Sequence, residues 1–452
     1  MSAQRILQIE LNEFDPDFLR RAARALSLRN VARVLDYTHT TTTTHDRVEH
    51  QGLDPWVQWV NVHTGEASGA HGVRRLGDTR VQLSRGHRQI WQHVADSGGR
   101  FAVWGAMNAP LGGTDGCEAF MPDPWCYEET AHPAPLNDLL ALPRYMSRNY
   151  LDTDRGEFLR GFGRFVRYYL PPARWGRALR FSAFAVPSML RYGAGLHTLT
   201  TLLDWLSALE FAAVRRRARP DYSLIFLNHI AHLQHQFWEN GDFAHPQMQL
   251  GLKTCDRILG LLLDTCMEGE AVVVLNGLRQ TNVTRQGQFV YRQINPESCY
   301  QRLLPGHDVA VEPCMTNDAT LSFGSSAQAD AAQAALEAVR LDGARPLLFV
   351  ERLSPLRVFA QLDIHDAVPD GAEVRWAGGA CAFSELFELI CERTGAHVPD
   401  GDVFADGLVF PAHMYNHEFA GHLLGQWSAE TRAGASARPG LSSAAAAVPS
   451  AA

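Results

Sequence analysis

A run of six residues with the length and composition of a buried strand, Tyr222 to Leu227, leads directly into a segment with three histidines. His229, His232 and His235 follow one another at intervals of three, so successive pairs share a face if the segment is helical. Ligand sites of open α/β sheets lie beyond the carboxyl ends of strands, and imidazole is a common zinc ligand. The segment therefore predicts a metal or substrate site. The alternative is a helix start whose histidines only cap or hydrogen-bond.

Strand-like and helix-like runs alternate along most of the chain. Arg5 to Leu11, Phe101 to Ala106 and Glu270 to Leu275 are predicted to be buried strands. Val81 to Asp96 and Gln249 to Cys266 have the spacing of helices. This alternation predicts an α/β fold with three αβα layers, a mostly parallel sheet, a helical insertion and a small α+β subdomain.

Three shorter segments carry weaker local signals. Asn30 to Leu35 is predicted to be a strand. Thr40 to Thr44 is a run of five threonines, a poor helix former that we expect in a loop. Ser384 to Thr394 is predicted to be a helix.

The predicted organisation has six parts. They are an α/β core at 1–150, a helical arginine-rich insertion at 151–220, a second core part at 221–300, an α+β subdomain at 301–380, core completion at 381–427 and a disordered tail at 428–452. The tail is almost entirely Ala, Ser, Gly and Pro, which cannot bury enough surface to fold. The arginines of the insertion face either solvent, an anionic substrate or an acidic membrane surface.

Bulk properties exclude several classes of protein. The 452 residues are 46% apolar, which allows a sizeable core. A formal charge of -8 argues against a general nucleic-acid binder. No charge-free apolar run is long enough for a membrane span, and Met1 to Asn12 is predicted to be a first strand rather than a signal peptide. Eight scattered cysteines without a C-x-x-C motif predict reduced thiols and a cytoplasmic location.

Polar residues follow several of the predicted strands. Asn12, Asn108, Asn228 and Asn276 each come after such a strand, and His397 lies in a glycine-bounded loop near the C-terminus. Because parallel strands deliver their carboxyl ends to one edge of a sheet, these side chains are expected to share a cleft. Loop stabilisation is an equally good interpretation of Asn108.

The order of these motifs resembles the alkaline phosphatase superfamily, in particular its type I phosphodiesterase/nucleotide pyrophosphatase branch. The resemblance spans most of residues 5 to 425. The motifs that carry it are Ile6 to Leu19, Thr64-Gly65 followed by His71-Gly72, Pro122-Asp123-Pro124-Trp125, His235-x-x-Trp238 and His397-x-x-x-Gly401. The resemblance implies two divalent metals, usually zinc, that flank a nucleophile and stabilise an in-line displacement at phosphorus.

Carried over residue by residue, this pattern is incomplete. His235 and His397 fall on metal-ligand positions, and Asn228, His229 or His232 are further candidates for the same metal. Amides replace expected carboxylates at Asn12 and at the Asn276-Gly277 pair, although Glu10 takes the first position if the strand is shifted. The nucleophile position falls on Pro55, beside Asp54, and proline cannot attack phosphorus. Fewer carboxylates would bind a second dication poorly.

Three functions remain open. The first is a hydrolase or transferase of phosphate or sulfate esters, with esters of a sugar or nucleotide among the candidate substrates. It would use one divalent metal, expected to be zinc, and water or a hydroxyl such as that of Thr44 as nucleophile. The second is a metal-free enzyme whose general base is Glu10, Glu13 or Asp54. The third is a non-catalytic relative that binds a glycan or nucleotide or scaffolds polysaccharide synthesis. Asn12, Asn108 and Asn276 are candidates to orient the substrate, a small molecule; the oligomeric state is left open.

Overall fold

The computed structural model describes residues 5–46, 53–149, 154–314 and 317–436. The chain forms two compact units. The first comprises Met1–Ala231, Leu250–Arg279 and His397–Ala452, and the second comprises His232–Gln249 and Gln280–Ala396. None of the described helices is both long enough and apolar enough to cross a bilayer.

The helices and strands follow in chain order. The strands are β1 (Ile6–Leu11), β2 (Thr38–Thr43), β3 (Phe101–Trp104), β4 (Cys117–Met121), β5 (Tyr222–Leu227), β6 (Ala271–Leu275), β7 (Arg279–Asn282), β8 (Gln288–Gln293), β9 (Val309–Pro313), β10 (Asp318–Phe323), β11 (Arg340–Leu341), β12 (Arg345–Pro346), β13 (Leu348–Ser354), β14 (Arg357–Leu362), β15 (Glu373–Trp376), β16 (Gly379–Ala382), β17 (Phe387–Arg393), β18 (Gly395–Val398), β19 (Gly401–Asp406) and β20 (His413–Tyr415). The α-helices are α1 (Pro16–Leu26), α2 (Arg29–Leu35), α3 (Pro55–Thr64), α4 (Ser68–His71), α5 (Thr79–Arg85), α6 (Ile90–Asp96), α7 (Leu136–Arg148), α8 (Arg155–Tyr169), α9 (Trp175–Tyr192), α10 (Leu196–Ala218), α11 (His229–Phe237), α12 (Pro246–Leu263), α13 (Pro296–Leu303), α14 (Ser326–Glu337), α15 (Phe383–Leu386) and α16 (Phe419–Ser436).

The first unit is built on an eight-stranded sheet in the order β20-β2-β19-β6-β1-β5-β3-β4. The pairs that β1 and β3 form with their neighbours are parallel, whereas β19 runs antiparallel to both β6 and β2. The predicted α/β class with a large, mostly parallel sheet is therefore confirmed.

Helices cover both faces of this sheet, as the alternation of side chains along β3 shows. Phe101 and Val103 point into a buried cluster that includes Trp91 of α6. The next residue, Trp104, faces the other way and packs against Phe211 of α10. Successive strand residues point to opposite faces, so the sheet lies between two helical layers.

The second unit contains two four-stranded sheets and the β8–β17 pair. Every described pair in them is antiparallel. Its separate core gathers buried side chains from Tyr291 to Phe387 around Leu321 and Leu336. This unit thus contains the predicted α+β subdomain and extends beyond its predicted start at 301.

The threonine run is a strand, so the loop prediction was wrong. β2 pairs with β19 on one side and with β20 on the other. Thr40 and Thr42 are buried while Thr41 and Thr43 are half-buried, an alternation that fits the pleat. β-Branched side chains that disfavour a helix are well suited to a sheet, and the neighbouring strands supply the partners.

Two other local predictions were also wrong. The segment predicted as a strand at 30–35 is helix α2, whose first N–H groups are capped by a distant side chain: the backbone N–H groups of Asn30 and Val31 donate to Asp256 Oδ1 at 2.7 and 3.0 Å. In the segment predicted as a helix at 384–394, α15 ends at Leu386 and β17 follows, paired with β8. In both cases a partner far along the chain outweighs local propensity.

The insertion and the C-terminal segment complete the first unit. Helices α8, α9 and α10 occupy most of the predicted helical insertion. Helix α16 continues to Ser436, into the segment predicted to be disordered, and the rest of that segment, 437–452, lies outside the described residues.

Candidate functional site

Three asparagines meet at the carboxyl edge of the parallel strands. β1 lies between β5 and β6, with Leu11 opposite Leu227 and Glu10 opposite Leu275. The residue that follows each of these three strands is Asn12, Asn228 or Asn276, so the register brings these amides to one place. The predicted convergence of strand ends is therefore present in the first unit.

The amide of Asn12 is fully used by its neighbours. Its Nδ2 donates to Glu13 Oε1 at 2.7 Å and to Asn228 Oδ1 at 2.8 Å. Its Oδ1 accepts the indole N–H of Trp59 at 2.7 Å. A carboxylate at this position would place an acceptor against two other acceptors. Asn12 therefore orients the Glu13 carboxylate.

Glu13 and His397 form a carboxylate–imidazole contact at this edge. His397 Nε2 lies 3.1 Å from Glu13 Oε2, with the two side chains 13% and 3% exposed. Glu13 adopts a left-handed backbone conformation with φ of 58°. A non-glycine residue held there costs on the order of 1 kcal/mol, and such strain clusters at functional sites. The sequence-based interpretation treated Glu13 only as a candidate base. Its position directly after the strand-end residue Asn12 was the sequence signal that could have placed it in the site.

Two contacts of His397 Nδ1 determine the direction in which the imidazole ring points. Its Nδ1 lies 3.0 Å from the Leu53 carbonyl oxygen and 3.8 Å from Asp54 Oδ1. A backbone carbonyl accepts the Nδ1 proton, so Nε2 faces the Glu13 carboxylate with a lone pair unless a second proton is bound. Metal-ligating histidines are usually oriented in this way. A carboxylate oxygen and an imidazole nitrogen are both ordinary zinc ligands, so Glu13 and His397 would suit one such ion.

Asp54 is the other carboxylate beside His397. It precedes α3 as the N-cap residue, and Pro55 occupies the first position of that helix. Proline suits this position because its missing N–H would have no helical partner there. The position that the resemblance assigns to a nucleophile is therefore a helix start. The partly exposed carboxylate of Asp54 is a candidate base beside His397.

A second cluster surrounds Asp402 on the neighbouring strand β19. Its buried carboxylate accepts two hydrogen bonds from Arg279, at 2.5 and 2.6 Å, and lies 2.7 Å from His39 Nε2. Asn276 Nδ2 donates to Asp402 Oδ2 at 3.0 Å and to the Phe14 carbonyl at 2.9 Å. The amide oxygen of Asn276 accepts the Asp402 N–H.

These contacts leave no free carboxylate charge for a second metal at the Asn276 position. The guanidinium of Arg279 already neutralises Asp402, and a dication beside it would be repelled. The residues present do not fit a second divalent ion there. Sequence reasoning missed Asp402 and Arg279, because a contact between residues 123 positions apart leaves no local pattern.

The three predicted histidines have different surroundings. His229 is fully buried, and its Nδ1 lies 2.7 Å from Asp204 Oδ2, which also accepts the backbone N–H groups of Asn228 and His229. No described group hydrogen-bonds to His229 Nε2. In the second unit, His235 Nδ1 lies 2.8 Å from the Gly395 carbonyl oxygen, the same orientation that Leu53 gives His397. His232 is exposed on the same helix.

Thr44 and Asn108 make local contacts. Thr44 Oγ1 donates to Asp46 Oδ2 at 3.0 Å. The buried amide of Asn108 donates to the carbonyls of Trp56 and Arg75 and accepts from the Gly77 N–H. Asn108 thus ties the β3–β4 connection to α3 and to the segment between α4 and α5.

Burial shifts the pKa values of His71 and Asp123 strongly. Burial lowers the pKa of the His71 imidazole to about 4. Its Nδ1 accepts the Val73 N–H, so the proton is on Nε2, which faces Asn61 Oδ1 at 2.7 Å. Burial also raises the pKa of the Asp123 carboxyl to about 7, although the Trp125 N–H donates to it.

Comparison with known proteins finds solved structures that are similar to this chain, whereas comparison of sequences finds no match. No family model matches the sequence, and no curated protein matches it significantly. Human ectonucleotide pyrophosphatase/phosphodiesterase 5 is 11% identical, with a TM-score of 0.47 over 94% of this chain and 95% of that chain. The murine protein in complex with AMP is 11% identical, with a TM-score of 0.46 over 94% and 95%.

A phosphonoacetate hydrolase from Sinorhizobium meliloti 1021, in complex with phosphonoformate, is 13% identical, with a TM-score of 0.46 over 95% of this chain and 96% of that chain. These three solved structures each match over at least 94% of this chain. At these levels of similarity, the chemistry of this chain is inferred from its own residues.

Proposed function

We propose that this chain is a hydrolase or transferase of phosphate or sulfate esters that works with a single divalent metal, expected to be zinc. The observation that carries the proposal is the contact between Glu13 Oε2 and His397 Nε2, two acceptors 3.1 Å apart that need a shared proton or a cation between them. When bound, the metal would supply an electrophile and an acidified water.

The chain's own residues would do the rest. Glu13 and His397 hold the ion, Asn12 and the Leu53 carbonyl hold these two ligands in place, and Asp54 accepts a proton from the attacking water. Water is favoured as nucleophile because Pro55 replaces the family's nucleophile. That His235, His232, His229 or Asn228 supply further ligands stays a prediction. The eight free thiols support a reducing compartment such as the cytoplasm.

The test combines metal content with turnover. Wild type, Glu13→Gln and His397→Gln are loaded with zinc, dialysed and assayed for bound metal, with the exposed His422→Ala on α16 as the matched control. We expect about one zinc per chain in wild type and control, and at least about tenfold weaker binding in the two site variants. The zinc-loaded proteins are then offered nitrophenyl phosphate, bis(nitrophenyl) phosphate and nitrophenyl sulfate. Equal zinc in all four proteins would overturn the ligand assignment.

A non-catalytic relative is the second candidate. It is favoured by the hydrogen-bonded amides of Asn12 and Asn276, which stand where the resemblance implies metal ligands. The neutralised carboxylate of Asp402 beside Asn276 also favours it. Tight zinc binding that depends on Glu13 and His397, without turnover of any of the three esters, would favour this candidate over the enzyme.

A further inference from the structure

Helix α8 of the insertion exposes an apolar stripe. Phe158, Phe162, Val166 and Leu170 are spaced four apart, and all four, together with Leu159, are exposed. Residues at this spacing lie on one side of a helix. The opposite side carries Tyr168, which is buried against the rest of the unit. Solvent therefore meets the apolar side of this amphipathic helix.

Helix α9 repeats the arrangement. Trp175, Leu179, Val186 and Leu190 stand at positions i, i+4, i+11 and i+15, which share one face, and Leu179 and Leu190 are 70% and 82% exposed. The indole N–H of Trp175 donates to the Leu170 carbonyl at 3.1 Å, so the two stripes meet at the turn between the helices. Single exposed apolar residues are ordinary, whereas two such stripes mark an interaction surface.

Arginines accompany these stripes. Between residues 154 and 219 there are twelve arginines and four acidic residues, in a chain whose formal charge is -8. Arg180, Arg216 and Arg217 line a groove of about 520 Å³, together with Arg177 and with small or apolar residues such as Gly176 and Leu209. None of these three forms a salt bridge with a described residue, whereas Arg177 in the same groove binds Glu210.

We propose that the insertion docks the protein on an anionic membrane surface, with the α8 and α9 stripes (residues 158–170 and 175–190) entering the headgroup layer and Arg180, Arg216 and Arg217 binding lipid phosphates. The reason is charge complementarity combined with exposed apolar side chains. A helix with an apolar face and arginines on its flanks lies in the interface, and anionic lipids attract the arginines. An acidic body and a basic insertion orient the molecule toward such a surface.

The experiment is co-sedimentation of the full chain with vesicles. One set contains equimolar phosphatidylcholine and phosphatidylglycerol, and the other contains phosphatidylcholine alone. We expect binding to the first set only, and weaker binding as salt is added. Leu179→Glu/Leu190→Glu should weaken binding at least about tenfold, because these side chains enter the apolar layer. Arg180→Ser/Arg216→Ser/Arg217→Ser should weaken binding on the order of 100-fold.

Two matched controls separate the surface from general properties of the chain. Val409→Glu changes an equally exposed apolar residue outside the insertion, and Arg24→Ser/Arg29→Ser/Arg285→Ser removes the same charge from exposed positions elsewhere. Both should bind vesicles like wild type. Circular dichroism and thermal melting establish that every variant is folded.

Several outcomes would overturn the proposal. The first is equal binding of the protein to both vesicle sets, and the second is unchanged binding in both insertion variants. The third is weaker binding in the arginine variant while the leucine variant binds like wild type. Inorganic phosphate is the probe for a soluble ligand. If phosphate binds the free protein through the same arginines and displaces the protein from vesicles, the groove is a phosphate pocket. If Leu179→Glu/Leu190→Glu instead converts a dimer to a monomer without affecting sedimentation, the stripes join two copies of the chain.

Discussion

The indole Nε1 of Trp59 lies 2.7 Å from the amide oxygen of Asn12, and this hydrogen bond determines which way the amide faces. With its oxygen turned to Trp59, the amide directs its two N–H bonds to Glu13 and Asn228. A tryptophan on α3 thus positions a carboxylate at the end of β1. The arrangement gives the Glu13 carboxylate a hydrogen-bonded support.

The first prediction concerns Asn12→Asp. The new carboxylate would face the Glu13 carboxylate and the Asn228 oxygen without a proton between them, so the free energy of unfolding should fall by about 3 kcal/mol at neutral pH. Zinc should restore most of this loss, since the introduced carboxylate and that of Glu13 could then share one ion. Urea denaturation with and without zinc measures both effects. Asn12→Ala is the control: it loses stability but offers no ligand, so rescue of that variant by zinc would contradict the argument.

The second prediction isolates the contact between Trp59 and Gly277. A Cβ on Gly277, whose φ is 73°, would lie 2.9 Å from Trp59 Cε2 and 3.0 Å from Cζ2. Gly277→Ala should therefore displace the indole and destabilise the protein. Gly269→Ala is a matched control, because Gly269 has a φ of 74° and nothing within 4 Å of the added atom.

Both substitutions carry the same backbone strain of about 1 kcal/mol, so their difference reports the clash, which we expect to cost a further ~1–3 kcal/mol. Thermal denaturation gives the comparison. Gly277→Ala should also weaken zinc binding, because Trp59 supports Asn12 and hence Glu13. Equal losses in the two variants would show that the indole can move freely.

The third prediction concerns acid stability and His71. Its pKa is about 4 in the folded protein and about 6.5 when unfolded, because burial disfavours the cation. Because the folded protein holds His71 in its neutral form, the contribution of this residue to stability is fully present above about pH 6.5. It is lost as the pH falls toward 4. The free energy of unfolding should therefore fall by about 2 kcal/mol between pH 7 and about pH 5 because of His71. Urea denaturation of wild type and His71→Gln at both values tests this, and the variant should show the smaller loss.

The fourth prediction has the opposite sign. Burial raises the Asp123 pKa to about 7, so its neutral form belongs to the folded state, and stability is lost as the pH rises from about 4 through 7. Asp123→Asn keeps an acceptor for the Trp125 N–H and cannot ionise. The variant should be about 2–4 kcal/mol more stable than wild type near pH 8 and nearly equal to it near pH 4. A stability difference that does not change with pH would rule out a buried, titrating Asp123.

The sequence by itself determined the α/β class and where the strand-end side chains would gather. Mostly apolar runs such as Ile6–Leu11 and Tyr222–Leu227 are local signals of buried strands, and parallel strands bring their ends to one edge for geometric reasons. The helices of the insertion were predictable for the same reason, since their spacing is local. Asn12, Asn228 and Asn276 could therefore be placed together before any coordinates.

The tertiary structure decided which of these groups are free to act. Glu13 meets His397 across 384 positions, and Arg279 neutralises Asp402 across 123. The threonine strand between β19 and β20, and α2 capped by Asp256, also depend on distant partners. Periodicity and propensity act over a few residues, whereas a carboxylate's partner and the pairing of a strand are settled only when remote segments pack against one another.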